Sequence, residues 1–238
     1  WQAAIGQVWQ LLRPQAGEGG EGRSPENKAG ADVSTLLKPY LRTVAAYNSG
    51  DALRIYPGSP LIVQNLLRSY DRMIACETEP RTRAALQAAL GAERRAKVLA
   101  IDGWIALRAH VPPKERRGLV LVDPPFEEGA DFDRLSEAIA AAHRKWPTGI
   151  YMLWYPIKER SAPDALARRL RKAAVPRLMR SELWVRLPGP DAGLTGSGLI
   201  VINPPFQLDA ELAALIPAVA QVLAPHGGHR LDWLAKES

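Results

Sequence analysis

Residues 116–127 read RRGLVLVDPPFE, and this stretch indicates the fold class of the chain. The run from Leu119 to Val122 is short and wholly apolar, with a glycine before it and two prolines soon after it. Such a run predicts a strand buried on both faces, as in the parallel sheets of α/β proteins. Because proline cannot continue the ladder of a central strand, we expect Asp123 at the carboxyl end of this strand.

Similar apolar runs flank this strand at RMIACE (72–77), KVLAI (97–101) and GIYMLWYP (149–156). Stretches with helical spacing separate them at residues 80–91, 105–110 and 131–146. Upstream, Ser59 as an N-cap followed by Pro60 predicts a further helix through LIVQNLLRSY (61–70). This alternation of strands and helices predicts a parallel, doubly wound, Rossmann-like sheet.

The C-terminal part departs from this alternation. After a basic helix predicted at 161–174, the apolar runs ELWVRL (182–187) and SGLIVIN (197–203) are separated only by PGPDAGLTG. This connection is too short for a parallel crossover, so the two runs are predicted to form an antiparallel hairpin.

Residues 1–50 are predicted to form a small helical subdomain. Residues 1–13 and 33–48 have helical spacing, and the charged, glycine-rich stretch between them predicts a mobile loop over residues 16–31. No strand precedes this loop, as a phosphate-binding loop would require. We therefore expect a helical subdomain at 1–50 and a Rossmann-like domain at 51–238.

Acidic residues follow three successive predicted strands: Glu77, Asp102 with Gly103 after it, and Asp123. Ligands of open α/β sheets bind beyond the carboxyl ends of the strands. An acid in the position of Glu77 suits a pair of ribose hydroxyls, and Asp102 can accept a hydrogen bond from an adenine amino group. A single acid at a strand end is more often a cap or turn residue, but three in register favour a binding site.

The tetrapeptide Asp123-Pro124-Pro125-Phe126 fits the chemistry of an adenine amine, whose lone pair is delocalised into the ring. The Asp123 carboxylate and the Pro124 carbonyl can each accept one N–H, and the prolines fix φ at about −65°. Phe126 can offer a face to an extruded base. Such a tetrapeptide alone is as often a simple strand-to-helix turn, but its place after the third acid-tipped strand favours catalysis.

The charge of the chain favours a polyanionic partner. The 238 residues carry a formal net charge of +6. Basic residues at 94–97, 114–117 and 168–172 are candidate contacts with an RNA backbone. Solvated helix faces are an equal alternative for each group.

Other sequence features exclude several classes of protein. The single cysteine, Cys76, cannot support a disulfide framework, and we expect a reducing, cytoplasmic environment. No apolar run approaches the roughly 18 residues needed to cross a bilayer. His226 and His229 lack the further ligands of a tetrahedral metal site, so we expect a loop there and no metal.

The chain resembles the ribosomal RNA large-subunit methyltransferase J family over almost its whole length. The motifs that carry the resemblance are YPGSPLI (56–62), ETEP (77–80), DGW (102–104), RRGLVLVDPPFE (116–127), WYP (154–156) and TGSGLIVINPPF (195–206). The resemblance implies a class I methyltransferase sheet and S-adenosylmethionine as cofactor. It also implies methylation of the N6 amine of an adenine in 23S ribosomal RNA.

The resemblance also implies roles for individual residues. Cofactor contacts fall on Ser59, Glu77, Asp102, Gly103 and Asp123. Asp123 also faces the target amine, and Phe126 stands where the family commonly has tyrosine. The family's N-terminal histidine-containing segment, first strand and glycine-rich loop have no counterpart in this sequence. That strand is central in the family's sheet, so we expect its two neighbours to be unpaired.

Two alternatives remain open beside the expected enzyme. One is methylation of adenine in DNA, because the same four residues serve DNA enzymes. The other is an inactive, truncated protein that still binds RNA. Enzymes that methylate protein amides usually carry asparagine in place of Asp123, which argues against them. We expect a monomer that acts on protein-free or early-assembly 23S RNA.

A second tetrapeptide, Asn203-Pro204-Pro205-Phe206, has the form of a methyltransferase motif. It ends the second arm of the predicted hairpin, which we expect at the edge of the sheet. Its prolines would then simply stop the strand, away from the cofactor cleft. We therefore predict that Asp123, and not Asn203, is catalytic.

Overall fold

The computed structural model describes residues 33–48, 52–127, 130–190 and 192–236. Contacts divide the chain into two compact units, residues 1–102 and 103–238. The helix predicted at residues 1–13 and the loop predicted at 16–31 lie outside the described residues.

The first unit is built around a parallel pair of strands joined by a helix. Its described elements are α1 (Val33–Ala45), α2 (Ser59–Leu66), β1 (Met73–Cys76), α3 (Pro80–Leu90) and β2 (Ala96–Leu99). Met73 lies opposite Ala96, and Cys76 lies opposite Leu99. Helix α3 provides the crossover that a parallel pair requires, and the Glu79 carboxylate caps its first backbone amides.

Contacts cross the boundary that we predicted at residue 50. The Asn48 side chain accepts hydrogen bonds of 2.8 Å from the backbone amides of Arg54 and Ile55. The Tyr40 and Tyr56 hydroxyls lie 2.6 Å apart. These bonds tie α1 to the segment that leads into α2, so α1 belongs to the same compact unit as β1 and β2.

The second unit contains a five-stranded sheet in the order β3-β4-β6-β5-β7. Its described elements are α4 (Gly103–His110), β3 (Leu119–Val122), α5 (Asp131–Lys145), β4 (Ile150–Ile157), α6 (Ser161–Lys172), β5 (Leu178–Trp184), β6 (Gly196–Ile202), α7 (Leu208–Leu223) and β7 (Gly228–Ala235). Strands β3 and β4 are parallel, and the remaining pairs are antiparallel. The mixed α/β fold and the β5–β6 hairpin confirm the predictions.

The two edges of this sheet differ in which strands begin and which strands end there. The carboxyl edge is where β3, β4 and β5 end; the amino edge is where they begin and where β6 and β7 end. Leu178, the first residue of β5, pairs with Ile202 at the end of β6 and with Ala235 at the end of β7.

Strand β6 lies inside the sheet, between β4 and β5, so our prediction of an edge strand is wrong. Ile200, Val201 and Ile202 are all buried, as expected of a strand that is covered on both faces. The outer side of β5 is covered by β7, a strand that the sequence pattern did not reveal. His229 lies in β7 and not in the predicted loop.

Within the described residues, β1 pairs only with β2, and β3 pairs only with β4. Leu119 and Leu121 of β3 are exposed, as is Ile74 of β1. In the part of the chain that the structure describes, each of these two strands therefore has one edge without a backbone partner.

Trp146 fixes the end of α5 against the amino edge. Its ring packs over Gly118 and Gly149, where a Cβ on Gly149 would come within 2.3 Å of the indole. The Tyr151 hydroxyl donates to the Trp146 carbonyl at 3.1 Å. The last turn of α5 thus lies beside the first residues of β3 and β4.

Buried ion pairs hold the strands of the second unit in register. Glu182, which is 1% exposed, accepts hydrogen bonds from the Tyr155 hydroxyl at 3.0 Å and from Arg160 at 2.6 Å. Arg180 makes a two-pronged pair with Asp232, at 2.8 and 2.7 Å. These contacts join β4 to β5 and β5 to β7, and they give the buried Glu182 and Arg180 partners of opposite charge.

Candidate functional site

Asp123 lies at the carboxyl edge of the second unit, directly after β3. Val122 is opposite Leu153, so Asp123 stands beside Trp154, the next residue of β4. Asp123 is exposed, and among the described residues its carboxylate has no hydrogen-bond or ion-pair partner. Neighbouring atoms partly desolvate the carboxyl group, which raises its pKa above the ordinary value.

The turn after β3 leaves a second acceptor open beside this carboxylate. Pro124 is buried and Pro125 is exposed. Within the described ranges, no backbone N–H donates to the Pro124 carbonyl. The carbonyl and the Asp123 carboxylate belong to adjacent residues, so two acceptors that receive no hydrogen bond from the described residues lie together at this point of the edge.

The open aromatic face that we predicted for Phe126 is absent from this structure. Phe126 is 8% exposed, and its ring centroid lies 4.7 Å from that of Phe132 and 6.1 Å from that of Trp154. The backbone at Phe126 has a φ of 52°, in the left-handed region. Burial against two other rings stabilises an aromatic side chain, and this ring belongs to the core that supports the turn.

Trp154 is a candidate site residue that we did not predict from the sequence. Trp154 is half-buried, and the strand register places it next to Asp123. A usable signal was present, because Trp154 lies within a run that is parallel to β3, at the level where β3 ends.

In the first unit, Glu77 and Asp102 lie at the carboxyl end of the β1–β2 pair, and both are half-buried. The backbone N–H of Glu77 donates to the Leu99 carbonyl at 3.1 Å. Its Oε1 accepts from the backbone N–H of Glu79 at 2.9 Å, which fixes the orientation of the side chain. The structure therefore brings these two acids to one edge, as predicted.

The other predicted cofactor residues are Ser59 and Gly103. Ser59 is exposed and is the first residue of α2, whereas the N-cap is Gly58, one residue earlier than we predicted. Gly103 begins α4 and is exposed, and a Cβ there would meet no atom within 4 Å. Ser59 belongs to the first unit, with Glu77 and Asp102, and Gly103 to the second, with Asp123.

Asn203 lies at the amino edge, on the opposite side of the sheet from Asp123. It follows Ile202, which pairs with Tyr151 near the start of β4. Its Nδ2 donates to the carbonyls of Pro147 at 2.7 Å and Gly149 at 2.8 Å. Asn203 lies at the opposite edge from Asp123 because β6 runs in the opposite direction to β3 and β4, and not because β6 is an edge strand.

In the ranges between 33 and 236 that the structure describes, no cluster of three or more His, Cys, Asp or Glu could bind a metal ion. No described helix combines the length and the apolar character of a membrane span.

Comparisons with known proteins agree on one family. The family model described as "RsmJ: Ribosomal RNA large subunit methyltransferase D, RlmJ" matches residues 12–235. The ribosomal RNA large subunit methyltransferase J of Escherichia coli K12 is 37% identical over 209 residues, which are 87% of this chain and 74% of the relative. The protein of the same name from Haemophilus influenzae is 34% identical over the same shares.

A solved structure supports the fold. The crystal structure of protein LPL1258 from Legionella pneumophila str. Philadelphia 1 matches with a TM-score of 0.80 and 28% identity. The match covers 96% of this chain and 79% of that protein. By family model, sequence identity and fold, the chain belongs to the ribosomal RNA large subunit methyltransferase J family.

Proposed function

We propose that the protein transfers a methyl group from S-adenosylmethionine to the N6 amine of an adenine in 23S ribosomal RNA. The observation that carries this proposal is the pair of open acceptors at the carboxyl edge, the Asp123 carboxylate and the Pro124 carbonyl. Membership of a family named for methylation of large-subunit ribosomal RNA supports the substrate class.

The two acceptors suit the geometry of an amino group. Each can accept one N–H of the adenine amine, which leaves the nitrogen lone pair directed away from the turn. An acceptor pair that is already in place has no reorganisation to undergo during the reaction. The raised pKa of Asp123 makes the carboxylate a better acceptor for the proton that the amine loses on methylation.

The acids of the first unit fit the polar groups of S-adenosylmethionine. Glu77 has one carboxylate oxygen, Oε2, beyond the one that accepts from Glu79, and ribose hydroxyls can donate to it. Asp102 and Gly103 would contact the adenine end, and Ser59 would add a hydroxyl. When bound, the cofactor supplies an electrophilic methyl group on a sulfonium.

The aromatic residues near Asp123 divide the task of supporting the base. Phe126 is buried and holds the turn that presents the Pro124 carbonyl. Trp154 is half-buried beside Asp123, and we assign to it the aromatic surface that the base meets.

A substrate comparison tests the proposal. Protein-free 23S RNA, assembled large subunits and duplex DNA are each incubated with radiolabelled S-adenosylmethionine. We expect label in the protein-free RNA and in no other sample, in keeping with a monomeric, cytoplasmic enzyme that acts before assembly is complete. Label in the DNA would favour a DNA methyltransferase. RNA binding without label or cofactor binding would indicate an inactive RNA-binding protein.

A further inference from the structure

The amino edge of the second unit, opposite Asp123, is strongly basic. Helices α5 and α6 both end at this edge, and β7 ends at the same edge beside the start of β5. Exposed basic side chains from these three ends form what we name the basic stripe: Arg144, Lys145, Arg171, Lys172 and Lys236. The order of the strands places the end of α5 beside β4, and the ends of α6 and β7 beside β5.

Few acids oppose the basic stripe. Asp209 and Glu211 lie in the first turn of α7, and Glu115 precedes β3. Among the described residues, Arg169 of α6 is ion-paired with Asp133 at 2.6 Å, so it is excluded from the stripe. Five exposed cations along one edge therefore produce a local positive potential.

An exposed aromatic ring, that of Phe206, lies in the turn that follows β6 at the amino edge. Phe206 is 90% exposed, the largest exposure among the described large apolar side chains. It follows β6, which lies between β4 and β5, and Asn203 at the start of its turn donates to the carbonyls of Pro147 and Gly149, just before β4. The Arg177 guanidinium donates to the Pro204 carbonyl at 3.5 Å and holds this turn against the start of β5.

A groove lies where the end of α6 meets the end of β7. It has a volume of about 410 Å³. Arg171 and Lys236 line it, with Val175, Pro176 and Leu234. Cationic side chains beside an apolar floor suit a nucleotide, whose phosphate is anionic and whose base is flat and weakly polar.

The backbone at this edge is held in costly conformations. Of the five described non-glycine residues with positive φ, four flank the stripe and its groove: Ala174, Arg177, Asn203 and Gln207. Left-handed φ values are unfavourable for such residues and persist where surrounding contacts enforce them. The positive φ values of Arg177 and Gln207 therefore depend on the tertiary contacts of these turns.

We propose that the basic stripe and Phe206 form a second RNA-binding surface, which holds an unpaired segment of the substrate RNA away from the target adenine. Phosphates of that segment contact Arg144, Arg171 and Lys172, and one base stacks on Phe206. The combination of a cationic track and an exposed ring matches single-stranded nucleic acid rather than a protein surface. This proposal rests on the proposed RNA substrate.

The first test removes charge from the stripe. The variant Arg144→Gln/Arg171→Gln/Lys172→Gln is compared with Lys38→Gln/Arg42→Gln/Arg72→Gln, which removes the same charge from exposed residues of the first unit. Binding of a fluorescent 23S RNA fragment is measured over a range of salt concentrations, together with kcat and KM for methylation.

We expect the stripe variant to raise the Kd and KM for RNA about tenfold or more, with kcat and cofactor affinity unchanged. The slope of log Kd against log salt should fall by about 2, because each lost contact with a single strand contributes about 0.7. The control should change Kd less than about twofold. Equal effects of the two variants, or no effect of either, would overturn the proposal.

The second test addresses the ring. Phe206→Ala should weaken RNA binding about fivefold to a hundredfold, the range for loss of one stacked base, and Phe206→Trp should retain binding. Unchanged melting temperatures would show that folding is intact. If Phe206→Ala instead converts a dimer to a monomer in gel filtration, the surface binds a second copy and the proposal fails. Absence of methylation by the parent protein would count against the proposed function. The Kd values for RNA of the parent and the variants would still test the proposed binding surface.

Discussion

The two turns with the form Asx-Pro-Pro-Phe share their residue pattern but differ in environment. At 123–126 the acid has no partner among the described residues, and Phe126 is buried. At 203–206 the amide donates to two backbone carbonyls, and Phe206 is 90% exposed. In one turn the polar residue is available to a ligand, and in the other the aromatic residue is.

The difference follows from strand direction. Strand β3 runs towards the carboxyl edge and β6 runs the opposite way, so the same tetrapeptide leaves the sheet at opposite edges. A short motif therefore acquires its role from the strand before it and from the groups that surround its end.

Removal of the buried ring should have the largest effect. Phe126→Ala is expected to lower the free energy of unfolding by about 3–5 kcal/mol, because a fully packed aromatic side chain is lost. Phe206→Ala is expected to change it by less than about 0.5 kcal/mol, as is usual for an exposed position. Urea unfolding of both variants measures the difference. If Phe126→Ala lowered the free energy of unfolding by less than about 0.5 kcal/mol, as expected for an exposed position, Phe126 would not support the fold.

Removal of the open carboxylate should affect catalysis and not folding. Asp123→Ala is expected to lower kcat by about 10²–10³-fold, the cost of losing one preorganised hydrogen-bonding group in a transition state. Glu137→Ala removes another exposed carboxylate, from the middle of α5, and serves as the matched control. Initial rates at saturating RNA and cofactor measure both. Turnover by the Asp123 variant near the parent rate would refute its assignment.

Removal of the bonded amide should affect folding and not catalysis. Asn203→Ala is expected to lower the free energy of unfolding by about 1–3 kcal/mol, because two carbonyls lose their donor. We expect kcat to stay within about tenfold of the parent, or about 1.4 kcal/mol in barrier. Asn203→Gly tolerates the φ of 53°, so its difference from alanine isolates backbone strain. An inactive but folded Asn203→Ala variant would exchange the roles of the two turns.

The smallest effect concerns pH. Desolvation raises the pKa of Asp123 in the folded protein, so its charged form weakens folding at neutral pH. The stability contributed by the protonated carboxyl is full below the unfolded pKa and is lost as pH rises through the folded pKa. Asp123→Asn should therefore melt slightly higher than the parent at pH 7, and the two curves should converge in acid. Convergence at neutral pH instead would indicate an unperturbed carboxyl.

Much of the fold could be predicted because it depends on local patterns. The apolar runs at β1 to β4 and the periodic stretches at α3 to α6 were located within a few residues. The short connection between β5 and β6 was enough to predict an antiparallel pair. Each of these features is expressed within about twenty consecutive residues, where burial and hydrogen bonding impose their period on the sequence.

Predictions that needed distant partners failed or remained incomplete. Burial of Phe126 depends on Phe132 and Trp154, the second of which is 28 positions away in the sequence. The inner position of β6 depends on pairing with β4 across helix α6 and strand β5. Neither partner is encoded in the residues beside the motif, so local reasoning predicted an open ring and an edge strand.

The class of the protein could be predicted from local sequence features alone. These features are an apolar strand that ends in DPPF, acids after two earlier strands, and the motifs of one methyltransferase family. Only the tertiary structure decided which tetrapeptide faces a ligand. The side chains of Asp123 and Asn203 are similar in size and follow similar strands. Strand direction and the carbonyls of Pro147 and Gly149 separate them, because a polar group that is already bonded is not available to bind a substrate.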